Sequence, residues 1–391
     1  MLQGALDKLA ADDILQLIRL EAREGRTLEF KREIHGKSED DKTELRADAT
    51  AFANVAGGDL VFGVDEREGV AVDVPGLDAA SVDAEMRRIE ETIQAGVAPR
   101  IPGLRLRAIS MSGGRAVIVV RIPRSWKGPH LVRTGGSFKM FGRSSAKKTP
   151  FDEGEIRAAY EGAGEVVERI RRWREERVAQ IANATGIIPL EGGPCIVLHI
   201  VPLAAPVQPG LLSAADLIAL KEQFRPIGGG GNDSRINLDG AMTFERGVTG
   251  MYKSYCQVFR SGAVESTATG IASESSGALV IPSGVFESQL IQAHKMYLGV
   301  LKALEVQPPF VLFLSMLQMK GVKYAVKAMR MQFSRHSKFD RESVLLPEAL
   351  MEESAMSADT ALRPILDAVW NAAGHERCFN YDENGRWRPE P

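Results

Sequence analysis

The sequence predicts an α+β protein in two domains joined by a helix. Three observations carry that reading. Over residues 1–150, segments with apolar residues at helical spacing are mixed with segments that alternate apolar and polar. Over 151–186 a charge-dense stretch keeps only a narrow apolar stripe. Near Ile187 the composition changes, and the strongly apolar strand PCIVLHIVPL opens a second α+β domain, 187–391. A length of 391 residues allows each domain its own core, and a hydrophobic fraction of 44% fits a folded chain.

The first helix can be capped by Asp12 or Asp13. Ile14, Leu17, Ile18 and Ala22 recur at helical spacing, and Gly25 ends it, which puts Glu24 at the helix end. Thr27 to Lys31 reads as a short strand. Side chains on a strand alternate faces, so Thr27, Glu29 and Lys31 share one face while Leu28 and Phe30 go to the core. A helix from about Thr43 to Ala56 turns Leu45, Ala49, Phe52 and Ala56 inward and stops at Gly57-Gly58. In LVFGVD the alternation buries Leu60, Phe62 and Val64 and leaves Asp59, Val61, Gly63 and Asp65 opposite. If the two strands are neighbours, Glu29, Lys31 and Asp65 converge. A third helix spans about Ser81 to Ala95, followed by strands in LRLRAISM, RAVIVVRIP and around GSFKMFGR.

Asp152 and Glu155 fit the cap of a connector helix whose stripe is Val166, Ile170, Trp173, Val178 and Ile181. That stripe suits a surface helix or an interdomain or dimer contact. The second domain shows a helix from Ala214 to Gln223, a loop at Gly228 to Gly231, and a hairpin in YCQVFRSGAVEST turning at Ser261-Gly262. A long helix capped by Ser283 runs through Leu304, PPFVLFLSMLQ is a buried strand, and a last helix covers about Thr360 to Ala373. No internal repeat is evident.

Glu24, Glu29 and Asp65 offer the carboxylate oxygens that a hard cation such as Mg²⁺ or Mn²⁺ takes. A lysine beside such a cation, here Lys31, can orient a water or neutralise a phosphate in flight. The net charge of −2 hides a local excess: from Arg121 to Lys148 there are eight Lys and Arg and no Asp or Glu. Lys127, Arg133, Lys139, Arg143, Lys147 and Lys148 lie there with Trp126, Phe138 and Phe141 interleaved, a combination that suits phosphate contacts with occasional stacking. His130, in SWKGPHLVR, could touch phosphate or act as a general acid, or pack between Trp126 and Pro129. The six histidines include no pair at metal-binding spacing, and His199 reads as a core residue, as do the methionines at 316, 319, 329 and 331. The four glycines at 228–231 lack the Gly-Lys-Ser/Thr of a phosphate loop and read as a turn. Cys195, Cys256 and Cys378 are isolated and read as reduced thiols of a cytoplasmic protein. No signal-peptide pattern and no apolar run approaching 18 residues is present, so no membrane span is expected.

LEFKRE, then TAFANVAGGDLVFGVDE, then the segment from VAPRI to FGRSS resemble the AlbA-type domain of the Schlafen family, over roughly residues 12 to 160. In nucleolytic members an E-x4-E-F-K segment and an aspartate after an FGVD-like strand form a ribonuclease site. The resemblance carries those roles onto Glu24, Glu29, Lys31 and Asp65, and implies metal-dependent cleavage of structured RNA, typically tRNA. Vertebrate members also carry a Cys/His zinc site and two related lobes. This sequence offers no such zinc site and only one lobe.

These readings converge on a metal-dependent endoribonuclease of tRNA or similar structured RNA. By analogy with bacterial nucleases fused to an unrelated domain, the expected setting is anti-phage defence. Glu24, Glu29 and Asp65 are expected to bind the cation, Lys31 to steady phosphate or water, and the basic stretch with His130 to hold RNA. A single lobe is small against tRNA, so a homodimer or higher homo-oligomer is expected. Two alternatives stand beside it: a non-catalytic DNA- or RNA-binding regulator, in which Glu29 and Asp65 are structural ion-pair partners, and an ATP-binding module, which only generic glycines support.

Overall fold

A computed structural model describes residue 2 and residues 6–388, apart from 126, 135, 145–146, 206–211, 231–232, 248–249, 327–336 and 353–356, with backbone alone at 163–164. Trp126, Gly231, Met329 and Met331 therefore lie outside the described residues. The contacts divide the chain into two compact units, Met1–Val166 and Val167–Pro391. Each is α+β.

The first unit is built on a five-stranded sheet. Its strands are β1 (Leu28–Lys31), β2 (Gly58–Phe62), β5 (Leu77–Asp78), β7 (Arg105–Met111) and β8 (Arg115–Ile122); β3 (Asp65–Arg67) and β4 (Val70–Asp73) form a separate hairpin. The order is β1-β2-β8-β5, with β7 also on β8, and only the β1–β2 pairing within this sheet is parallel. A second sheet, in the order β11-β10-β9-β6, comprises β6 (Val97–Ala98), β9 (Leu131–Thr134), β10 (Ser137–Ser144) and β11 (Lys147–Pro150).

Both faces of the main sheet are covered. Leu60, Phe62, Ile118 and Val120 pack with Leu45, Ala49 and Phe52 of α2 (Glu39–Val55) and with Ile89 and Ile93 of α3 (Val82–Gly96). Phe30, Val61, Val117 and Val119 pack with Leu6, Leu9 and with Ile14 and Leu17 of α1 (Ala11–Arg19). A strand buried on both faces shows no polar alternation. That corrects one expectation. In the β1–β2 ladder Glu29 lies opposite Leu60, and directly opposed residues share a face. Glu29 and Lys31 therefore point to the α2 side, while Phe30 joins Val61 on the other. The expected face shared with Asp65 does not form, because Gly63 turns the chain at φ +97° and Asp65 begins the β3–β4 hairpin. The first helix also ends earlier than expected, at Arg19, so Glu24 stands in the link to β1.

Two glycines let α2 meet β2 and β1. A Cβ on Gly58 would come within 2.4 Å of the Phe52 ring and 2.8 Å of the Thr27 carbonyl, and Gly57 adopts φ +70°. Ser38 caps α2, accepting from the Asp41 N–H at 3.1 Å.

The second unit contains an eight-stranded antiparallel sheet. Its strands are β12 (Cys195–Pro202), β13 (Asp233–Asn237), β14 (Gly240–Arg246), β15 (Tyr252–Phe259), β16 (Val264–Thr269), β19 (Phe310–Leu317), β21 (Ser343–Leu345) and β22 (Ala349–Met351). The order is β13-β14-β15-β16-β12-β19-β21, with β22 also on β19. A small sheet holds β17 (Ser273–Ser275), β18 (Ala278–Pro282) and β20 (Lys323–Ala325). Short α5 (Ala214–Ala219), long α6 (Ser283–Ala303) and α7 (Ala358–Ala372) contribute to the main core, with Leu290, Tyr297, Ile365 and Trp370 buried against the sheet. The hairpin β13–β14 was not legible in the sequence.

The connector is a single helix, α4 (Glu153–Ala182). Its later half covers the opposite, polar-centred face of the second unit's sheet. Arg177 binds both oxygens of Glu265 at 2.8 and 2.7 Å, and the same carboxylate meets His199 at 2.9 Å and the Tyr255 hydroxyl at 2.6 Å. Trp173 packs edge-on against the His199 and Phe259 rings. His199 is a core residue. Met316 and Met319 are buried, and the chain turns at Ile227–Gly228, where the Gly229 N–H donates to the Pro226 carbonyl at 3.1 Å.

Candidate functional site

The site lies at the end of β1, where charged side chains face α2 and β10. Glu24 is held by its backbone N–H to Gly69 at 2.7 Å, and its Oε1 accepts from the Phe30 N–H at 2.9 Å. Lys31 Nζ lies 2.6 Å from Glu29 Oε1. Arg143 reaches from β10 to the other oxygen of Glu29, donates to the Gly25 carbonyl at 2.8 Å, and stacks its guanidinium 4.7 Å above the Phe52 ring. Glu29 is thus a buried anion with a cation on each oxygen.

Asp48 of α2 completes the cluster. It is 1% exposed; Lys148 Nζ binds its Oδ1 at 2.6 Å and His35 Nε2 lies 3.3 Å from its Oδ2. Lys148 also binds Glu44 at 2.7 Å. Burial lowers the Lys31 pKa, but Asp48, Glu29 and Glu24 outweigh it and hold the ammonium above its ordinary value. Glu24 goes the other way: burial, with Glu29 and Glu66 nearby, raises its carboxyl despite the Phe30 N–H and Lys31. Burial raises Asp48, but His35, Lys148 and Lys31 overcome it and hold the carboxyl low.

The structure brings Glu24, Glu29 and Lys31 into one electrostatic cluster. Asp65, at the start of the β3–β4 hairpin, instead pairs its Oδ2 with Arg32 at 2.6 Å. Among the described residues, no group of three or more His, Cys, Asp or Glu side chains is placed to hold a metal ion.

The basic stretch divides. Lys127, Arg133, Lys139 and Lys147 are exposed. Arg143 and Lys148, expected on phosphates, are turned inward onto Glu29 and Asp48, because residues paired across β10 and β11 share a face and this pair faces α2. His130 is buried; its Nδ1 meets the Pro99 carbonyl at 2.7 Å, and burial, against that bond, lowers its pKa. It is not placed to meet phosphate. Sequence reasoning missed Asp48 and His35. Asp48 had a signal: it shares a helical stripe with Leu45, Ala49 and Phe52, an acid on a buried face.

Residues 24–152 match the Schlafen AlbA_2 family. This segment is a Schlafen AlbA_2 domain. The domain type indicates a nucleic-acid-related function. No curated protein matches the chain. Among solved structures the chain is similar to the DIP2311 protein from Corynebacterium diphtheriae, at 16% identity and a TM-score of 0.25, spanning 36% of this chain and 26% of that one. So low a score supports nothing further. The Schlafen AlbA_2 domain holds the whole charged cluster, from Glu24 to Lys148. Among the described residues, no helix is long and apolar enough to cross a membrane.

Proposed function

We propose that the Schlafen AlbA_2 domain is a metal-dependent endoribonuclease acting on tRNA or similar structured RNA. The observation that carries this is the gathering of Glu24, Glu29 and Lys31 at one end of β1 inside that domain. Lys31 is held cationic by three acids and is half-exposed, so it can meet a phosphate oxygen. Glu24, raised by burial and then by Glu29 and Glu66, is a carboxyl that a nearby positive charge would stabilise in its charged form.

Carboxylate oxygens are the donors that Mg²⁺ or Mn²⁺ takes, and Glu24, Glu29 and Asp65 offer them. In this reading those three residues would hold the ion. Such an ion would supply charge neutralisation at the scissile phosphate and an acidified water. The chain's own residues orient the site: Arg143 fixes Glu29, and Asp48 holds Lys31 charged. Arg133, Lys139 and Lys147 would contact RNA phosphates without reading bases. In this reading the enzyme is cytoplasmic, works as a homodimer or higher homo-oligomer that completes the RNA clamp, and serves defence.

Purified protein incubated with total tRNA should give discrete fragments with Mn²⁺ or Mg²⁺ and none in EDTA. Glu24→Gln and Glu29→Gln should abolish them. Cleavage at full rate in EDTA rejects the metal-dependent reading. One observation favours a second reading: Glu29 is neutralised on both oxygens and Asp65 is paired with Arg32, as expected of structural ion pairs in a non-catalytic nucleic-acid-binding module. That module would retard tRNA on a gel and leave it whole under every metal tested.

A further inference from the structure

We propose that Phe138, near the start of β10, is a stacking platform for an unpaired base of single-stranded RNA, backed by Arg133 opposite it on β9. The inference rests on the reading of this domain as a nucleic-acid binder and adds which part of the ligand the hairpin takes.

Phe138 is 58% exposed, and Tyr160 is the only other exposed large aromatic ring among the described residues. Its exposure follows from register. Phe138 lies opposite Arg133 in the β9–β10 ladder, whereas Met140, two residues on, is buried. The core begins one step after the ring. Arg133 lies over one face of the ring, its guanidinium 5.8 Å from the centroid. An exposed ring backed by a planar cation is a surface on which a base can stack.

The surroundings match a polyanion. No acidic residue occurs from Arg121 to Phe151. Lys139 and Lys147 are exposed and make no ion pair among the described residues. Lys147 pairs with Ser144, six residues along β10 from Phe138, roughly 20 Å at strand spacing. The base of the hairpin is anchored: Asn54 of α2 donates to the His130 and Phe141 carbonyls, both at 3.0 Å. A fixed ring with free cations along the strand suits an extended chain. Bases inside a duplex are already stacked and offer no open face, so the ring discriminates for unpaired nucleotides. A protein partner would need a wider apolar patch, whereas Phe138 is flanked by Thr134, Ser137 and Lys139.

The test uses the full chain in EDTA, where binding is read without cleavage. Fluorescence anisotropy compares a short single-stranded RNA with a blunt duplex of the same sequence, for wild type, Phe138→Ala, Phe138→Leu and Phe138→Trp. Phe138→Ala and Phe138→Leu should weaken single-strand binding about tenfold and leave duplex binding unchanged, while Phe138→Trp preserves both. A 2-aminopurine in the single strand should be quenched by wild type and Phe138→Trp alone. If Phe138→Leu binds single strands like wild type, the ring is not a stacking platform although the domain still binds RNA. Equal losses on both RNAs, or a change in assembly mass with unchanged RNA affinity, overturn the platform as well. If wild type binds neither RNA, the nucleic-acid reading itself falls and this inference with it.

Discussion

Glu29 is buried and held by two cations, and this governs what its substitutions report. Removing one partner of a buried pair leaves the other charge uncompensated, at a cost of roughly 3–5 kcal/mol. Glu29→Ala would strand Arg143, whose side chain is 1% exposed. It should therefore lower the denaturation midpoint of the first unit as well as any RNA cleavage, and Glu29→Gln is the cleaner probe. Asp65→Ala breaks an exposed pair with Arg32 and should change stability by less than about 1 kcal/mol, so lost cleavage there would report chemistry. Asp48 acts on Lys31 through the field. Asp48→Asn removes an anion that raises the lysine, so the Lys31 pKa must fall and the alkaline limb of a cleavage profile should move to lower pH. An unmoved limb would detach Asp48 from the site.

At the scale of elements, β10 does two jobs with similar residues. Its Phe138 end is exposed and its Arg143 end is built into the α2 interface. Neutralising Arg133, Lys139 or Lys147 should each reduce the salt dependence of RNA binding by about 0.7 in the log–log slope for single strands. Lys148→Ala should instead destabilise the fold, since its ammonium is shared by Asp48 and Glu44. A slope change for Lys148→Ala without a stability change would contradict the ladder register. The later half of α4 is held to its own unit by Arg177, whose guanidinium neutralises Glu265 beneath the helix. Arg177→Met should cost several kcal/mol in the second unit by leaving that carboxylate buried without a cation. Equilibrium denaturation of the full chain would show it as a shift in one of two transitions.

For the molecule as a whole, acid is the informative stress. His294 in α6 is buried, and burial lowers its pKa to about 4 against the Ala358 carbonyl bond. A folded pKa below the unfolded one means the unfolded chain binds the proton more readily. The stability from keeping His294 neutral is thus complete above about pH 6.5 and is lost as pH falls through about 4, a loss of roughly 3 kcal/mol at 1.36 kcal/mol per unit. The second unit should weaken across that window, and His294→Leu should flatten the dependence. Assembly is a separate question. Light scattering should give a multiple of the 42.6 kDa chain, with and without tRNA. A strict monomer that still cuts RNA would show that one domain suffices.

The sequence by itself determined the α+β class, most long helices and strands, and the domain type. Local periodicity and glycine stops report which segments have a buried face, and motifs such as LEFK and AFANVAGG are contiguous. Glu24, Glu29 and Lys31 were legible as neighbours because they lie within one short segment. Tertiary structure alone decided which face of β1 they occupy, since β1 and β2 are packed on both sides and alternation loses its meaning there. It also decided which of several similar cations complete the cluster. Arg143 and Lys148 read like Lys139 and Lys147 along the chain, but Arg143 meets a carboxylate 114 residues away. Such partners are set by strand register and helix packing between distant segments, and the local pattern around a residue carries no record of them.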